Sequence, residues 1–333
     1  MAGVTPSWWQ EDNLLEAKVS LALRGQQHRE RWKYTRATSV IDLLDATDHV
    51  RPELPDLDLS QLLTTAPEVL LALSRTSNCM TLDPNDSDQL YGADLADATT
   101  IRVAPGSRIE LIEEDAAPLR FLWIVLGPGA TLTHSRYSSG NHKQWRFQHV
   151  SVGADASYHL HNHSLGAELN RQDIQVDMTG AGGLFELYAS ACVDRSLHLD
   201  QQITVQHLAP HATSRQQVHN IVADKAKVTF NGRIHIHANC EGSDAQLTNR
   251  NLALSGGAVI NTKPELEIYT DDVRCAHGAT IGRLDELQSF YCQSRGISPA
   301  AARRLLCQAF LADATRGSLA PAALEAYAGV LGS

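Results

Sequence analysis

The stretch IQVDMTGAGGLFELYAS runs from Ile174 to Ser190. Apolar and polar residues alternate on both sides of a run of small residues. That is the mark of a short strand, a tight turn and a second short strand. The unit is repeated. TIRVAPGSRIELIE (100–113) alternates through Ile101 and Val103 to a Pro-Gly turn, then through Ile109 and Leu111. RFLWIVLGPGATLTHSR (120–136) and FQHVSVGADASYHLH (147–161) do the same. The turns centre near Gly106, Gly129, Gly153 and Gly182, in steps of 23, 24 and 29 residues. Three further units follow in ITVQHLAPHATSRQQVH (203–219), HNIVADKAKVTFNGRIHIH (219–237) and NLALSGGAVINTKPELEIY (251–269). Repeated β units without helices between them predict a solenoid, in which stacked coils bury a core that no single unit can bury alone. A sandwich or barrel also accepts many short strands. The length over which the pattern persists favours a β-helix.

Outside this zone the period is helical. WWQEDNLLEAKVSLALRG follows a capping Ser7, carries Leu15, Val19 and Ala22 at helical spacing, and stops at Gly25. SVIDLLDAT and DLSQLLTTAPEVLLALSR read as two more helices. After Gly282, Leu284, Leu287 and Tyr291 share one face. Ser298-Pro299 starts a second helix with an N-cap and an N1 proline, a stripe of Ala302, Leu305, Leu306, Ala309 and Phe310, and a stop at Gly317. Leu324, Tyr327 and Leu331 make a last short helix. The expected organisation is a helical region over 1–95, a β core over 96–281 and a helical domain over 282–333. The C-terminal helices are expected to cap the solenoid end. The first is expected to hide its stripe on the last coil, whereas the other two face either that coil or a partner protein.

The chain has 333 residues, enough for a sizeable core, with 43% hydrophobic and 20% charged residues, a soluble globular balance. A net charge of −10 with no basic patch argues against nucleic-acid binding. No window spans a membrane, and the first residues lack a secretory pattern, which points to the cytoplasm. The six cysteines (79, 192, 240, 275, 292, 307) form no CxxC and read as reduced thiols. The phosphate loop, the dinucleotide fingerprint, HExxH and GxSxG are all missing, so the chain is read as a non-enzyme whose energy, if needed, comes from a partner.

Two kinds of side chain are candidates for chemistry. His159, His161 and His163 fall at i, i+2, i+4 in YHLHNH and share one strand face, where neutral imidazoles can bind a transition metal. A metal-dependent cupin-like or β-helix enzyme built on that face is the alternative function. His235 and His237, near Cys240, repeat the geometry, and His207 and His211 bracket a turn. The second candidate lies in KPELEIYTDDVRCAHGATIG (263–282), where Cys275 and His277 project together. Thiolate and imidazole suit iron, zinc or a cluster, but two ligands close no tetrahedral site. The others come from elsewhere in the chain or from a second chain. Glu265, Glu267, Asp271 and Asp272 are near enough in sequence to attract a cation or supply oxygen ligands.

The block SDAQLTNRNLALSGGAVINTKPELEIYTDDVRCAHGATIGRLDELQSFYCQSRGIS (243–298) resembles the signature region of the SufB/SufD family of iron–sulfur assembly scaffold subunits. APHATSRQ (209–216), FNGRIHI (230–236) and RWKYT (31–35) resemble further family segments, and the close match covers Leu197 to Phe310. CAHGATIG is similar to the SufD branch, whereas FYCQSRGIS is similar to the SufB branch; the β-end motif decides for SufD. The resemblance implies a mainly β fold, with a right-handed parallel β-helix core between N-terminal and C-terminal helical regions. It implies pairing with a SufB-like subunit through the β-helix ends, and binding of a SufC-type ABC ATPase through the C-terminal helices. The isolated chain can pair with itself instead. It implies that iron or a nascent iron–sulfur cluster sits transiently at the subunit interface, with Cys275 and His277 as ligands rather than acid–base groups.

Overall fold

The computed structural model describes residues 78–82, 89–91, 98–115 and 118–332. The helices expected over 1–95 lie almost wholly outside them, and the strands Asn78–Leu82 (β1) and Gln89–Tyr91 (β2) are already part of the β architecture.

Sixteen described strands form two parallel sheets. One sheet takes β1, Ala98–Val103 (β3), Leu119–Leu126 (β5), Lys143–Val152 (β7), Leu169–Met178 (β9), His198–His207 (β11), Lys227–Ile236 (β13) and Val259–Ile268 (β15), in that order. The other takes β2, Arg108–Asp115 (β4), Thr131–Ser138 (β6), Ser157–Ser164 (β8), Leu184–Val193 (β10), Thr213–Val222 (β12), Asp244–Ala253 (β14) and Arg274–Gly282 (β16). Every strand between the ends of its sheet pairs with the second strand before and after it. Each coil therefore contributes one strand to each sheet, and the expected β-helix is the observed one. The register sets the coil length. Arg108 pairs with Thr131 and Thr213 with Asp244, so a coil takes 23 residues near the start and 31 near the end.

The turns from odd to even strands repeat one backbone device. Gly106, Gly129, Asp155, Gly182 and His211 have φ between 53° and 73°. Each donates its N–H to a carbonyl of the next turn: Gly129 to Ala154 at 2.8 Å, Asp155 to Ala181 at 2.9 Å, His211 to Glu241 at 2.9 Å. The turns thus continue the ladder around the bend. Glycine is favoured at 182, where φ is 72° and a Cβ would displace the Asp155 carboxylate stacked beneath it, although Asp155 and His211 adopt the same conformation in neighbouring turns.

Alternation fills the interior. Ile174, Val176 and Met178 point in from one sheet and Phe185, Leu187 and Ala189 from the other, within one continuous apolar cluster. Tyr158 stacks on Phe185 with centroids 5.6 Å apart. The remaining interior is polar, and hydrogen-bonded chains run through part of it, while other buried polar atoms, Gln216 Oε1 and Thr229 Oγ1 among them, have no hydrogen-bond partner among the described residues. His134 donates from Nε2 to Glu113 at 2.5 Å and accepts at Nδ1 from the Tyr158 hydroxyl at 3.0 Å. Arg136 donates to Asn162 at 3.0 Å, and Asn162 to Gln172 at 2.8 Å. Burial alone would raise the Glu113 carboxyl, but the His134 hydrogen bond and the charges of Arg136 and Arg120 outweigh it and hold the carboxyl down at about 2.

Three helices follow. Glu286–Ser294 (α1) is capped by Asp285, which accepts from Leu287 N–H at 2.8 Å. Pro299–Ala312 (α2) has the expected Ser298 N-cap and N1 proline. Ala320–Gly332 (α3) completes the set. Their placement corrects two expectations. First, α2 and α3 do not cap the solenoid end but lie on the outer face of the even-strand sheet, across β8, β10 and β12. The α2 face that meets the sheet is Ala302, Cys307 and Leu311, with Leu306 and Phe310 half-buried, whereas Leu305 is 49% exposed. The stripe read from the sequence was off by about one position, because Cys307 was not counted as apolar. Second, α1 buries none of its residues. Gly317 is not the stop of α2 but an αL residue (φ 86°) in the α2–α3 loop, laid directly against His161.

Polar bonds fix this docking. The Tyr327 hydroxyl donates to Ser190 C=O at 2.6 Å and accepts from Ser164 N–H at 3.2 Å, bridging β8 and β10. His163 donates from Nε2 to Arg316 C=O at 2.8 Å, and His219 from Nδ1 to Phe310 C=O at 2.7 Å. The Arg316 guanidinium lies 3.9 Å from the Tyr188 ring centroid. Tyr327→Phe strands a buried carbonyl, and is expected to cost about 1–3 kcal/mol of unfolding free energy in denaturant titrations. Burial holds His161, His163, His198 and His207 down at about 4, against an ordinary value of 6.5. The unfolded chain therefore binds protons that the folded chain refuses. Their contribution is complete above about pH 6.5 and is lost as pH falls toward 4. Stability measured by denaturation should decline over that window, less steeply in His163→Gln.

Candidate functional site

Cys275 and His277 sit on β16, the last described strand of its sheet, with no further strand beyond it. Cys275 pairs with Ala245 and His277 with Leu247. The register carries those positions down through the coils. One column runs Tyr158, Phe185, Ser214, Ala245, Cys275; the next runs Leu160, Leu187, Gln216, Leu247, His277. Both are inward-facing core columns. Cys275 is half-buried against the apolar core, and His277 is exposed. Two core positions are therefore occupied by metal-ligating side chains where the stack of described coils ends. Their Cβ atoms stand about 7 Å apart on one face of a strand. Burial is the main effect pushing the Cys275 thiol up, aided by Asp244 and opposed by a bond with Ala245 backbone. The thiol form prevails near neutrality, so a soft metal must displace a proton to bind.

The acidic residues near this pair in sequence are not beside it in space. Strand parity puts Leu266 and Ile268 inward on β15, and so Glu265 and Glu267 on the outer face of the odd-strand sheet. There Glu265 meets Lys263 at 2.9 Å and Glu267 meets Arg233 at 2.6 Å. Asp271 and Asp272 are exposed in the β15–β16 turn. No group of three His, Cys, Asp or Glu side chains among the described residues could hold a metal ion as they stand.

His159, His161 and His163 do share a face, as their spacing requires, but the protein uses them. His159 bonds Glu186 at 2.8 Å; His161 faces Ser135 and lies under Gly317; His163 is bonded on both nitrogens, to Ser190 and to Arg316. The carboxylate that the sequence did not reveal is Glu186, one coil further on and paired in register with His159. His235 and His237 stack on the outer face of the odd-strand sheet, with centroids 3.9 Å apart. His207 points inward and bonds Ser214 at 2.9 Å, while His211 is a turn residue. Cys240 is buried, its thiol donating to His207 C=O at 3.3 Å.

The surroundings of Cys275 and His277 are apolar for an exposed region. Val259, Ile268, Tyr269 and Ile281 are exposed on the terminal coil. The free edges of β15 and β16 carry unpaired backbone groups among the described residues. Close by in sequence, α1 exposes Leu287 (79%), Phe290 (70%) and Tyr291 (59%). The sequence reading already placed the pair at the end of the solenoid; what it missed is that Val259, Ile268 and Tyr269, on or just after β15, and Ile281, on β16, leave that end apolar and exposed. No described helix is long and apolar enough to cross a membrane.

Comparison with known proteins agrees with this architecture. The model of the SUF system FeS cluster assembly SufBD core domain matches residues 86–310. The iron-sulfur cluster assembly protein SufD of Escherichia coli is 34% identical over 194 residues, covering 58% of this chain and 46% of that protein. A SufBD family protein of Synechocystis is 35% identical over 57% of this chain and 42% of its own length. Protein ABCI7, chloroplastic, of Arabidopsis thaliana is 33% identical over 63% and 46%. The chain spans about half the length of these relatives. It belongs to the SufBD family of the SUF iron–sulfur cluster assembly system.

Proposed function

We propose that the chain is a non-catalytic scaffold subunit on which iron–sulfur clusters are assembled, with Cys275 and His277 as its share of a site completed by a SufB-type partner. The observation that carries this reading is the ending of two core columns on a cysteine and a histidine at an uncovered coil. One thiol and one imidazole are too few to hold iron or a cluster, and a second chain that pairs with the β16 edge brings the rest. The exposed apolar residues of the terminal coil support such pairing. A weak, shared ligand set also lets the cluster leave, as a scaffold requires. A second copy of this chain could occupy the same edge when the partner is absent.

The α1 helix is the proposed seat of a SufC-type ABC ATPase. Its outward Leu287, Phe290 and Tyr291 have no apolar cover among the described residues, while α2 and α3 are committed to the sheet. Motion of an ATPase on α1 would then reach the terminal coil through the short link from Gly282 to Asp285.

Two measurements test the reading. Cys275→Ala with His277→Ala should reduce the activity of cellular iron–sulfur enzymes at least tenfold while leaving the protein folded. Normal cluster supply in that variant overturns the site. Leu287→Asp with Phe290→Asp should abolish co-purification of an ABC ATPase without changing the melting temperature, because both side chains are exposed. Undiminished co-purification rules out α1 as the seat.

A further inference from the structure

The terminal coil ends in two free strand edges, and the two are built differently. In a parallel ladder, alternate residues turn their N–H and C=O groups to opposite neighbours. Val259 N–H donates to Ala226 C=O at 3.0 Å and Tyr269 N–H to Ile236 C=O at 2.9 Å, so the odd-numbered residues of β15 bond β13. Ile260, Thr262, Pro264, Leu266 and Ile268 therefore face the free edge. Pro264 has no N–H to offer there, and its ring stands where another strand must approach. Lys263, Glu265 and Glu267 flank it on the outer face. Proline and charge are the devices that keep an edge strand from pairing. On β16, Arg274 N–H donates to Ser243 C=O at 2.9 Å, so its even-numbered residues bond β14. Cys275, His277, Ala279 and Ile281 turn their N–H and C=O groups outward without interruption. From Cys275 to Gly282 there is no proline, lysine, arginine, aspartate or glutamate, and the outer-face residues Ala276, Gly278 and Thr280 are small.

We infer that β16 alone receives a strand of the partner, and that Pro264 with its charged neighbours closes β15 to pairing. This rests on the reading that a second chain pairs at the terminal coil; it adds which strand takes that chain and what keeps the other from doing so. The junction is then carried by one sheet. It bonds the partner through the main chain of the same residues whose side chains are the candidate ligands. A strand added to β16 lies about 4.8 Å away and continues its inward columns. The partner's ligands are therefore expected at its inward positions opposite Cys275 and His277.

Single prolines on the two edges test it. A proline at an outward N–H removes a donor to the partner and none from the chain's own ladder. The full chain, tagged, is co-expressed with a SufB-type subunit, and the subunit it retains is identified by mass. Ala279→Pro should lower that recovery at least tenfold, whereas Thr262→Pro should leave it unchanged. Melting temperatures report whether each variant folds, and Ile281→Pro replaces Ala279→Pro if that variant does not. Loss in Thr262→Pro as large as in Ala279→Pro overturns the inference and leaves the pairing reading in place, as does loss in Thr262→Pro alone. Full recovery in both variants, or no recovery with the unaltered chain, overturns the inference and the pairing reading together.

Discussion

In a two-sheet parallel solenoid, a strand's backbone groups are satisfied only by the strands one coil before and one coil after. Everything else in this molecule depends on that. It makes each coil's register a consequence of its neighbour's, so that one inward position propagates as a column along the whole stack. It lets the αL residues of the turns, glycine or not, hand hydrogen bonds on from bend to bend. It also means that the last described strand of each sheet has an edge with no partner strand among the described residues. Cys275 and His277 lie on the β16 edge.

The outer faces are divided by the same geometry. Even strands give their outer face to α2 and α3, through an apolar cluster built on Cys192, Ile221, Cys307, Leu311 and Tyr327. Odd strands keep the polar ladder in which His149 bonds Asp177 at 2.8 Å and Asp177 is further held by Gln175 and Gln206. Parity within a strand, together with the sheet the strand belongs to, therefore decides whether a histidine is a core group, a docking contact or a surface side chain. His207, His163 and His235 are respective examples, and spacing alone does not distinguish them.

The β period was legible because alternation and small-residue turns are local properties of the chain, and all seven strand–turn–strand segments are strands in space. The cap of α2 was legible for the same reason. What could not be read was any relation between residues a coil apart. Glu186 beside His159 and Glu267 beside His235 follow from registers of 27 and 32 residues, and the coil length drifts along the chain. The acidic run before Cys275 misled because sequence proximity at a turn says nothing about which side of a strand a residue takes. The docking of α2 was misread by one position because Cys307, fully buried, behaves as a small hydrophobe.

The drift in coil length has a directional effect. The strands lengthen from 6 residues at β3 to 8 at β4–β6 and 10 at β7, and hold at 8–10 from there to β16, so the solenoid reaches its full width by its middle coils. At roughly 3.3 Å per residue, the final strand of the odd sheet is about 33 Å long. The described solenoid thus flares over its first coils and keeps nearly one width from β7 onward.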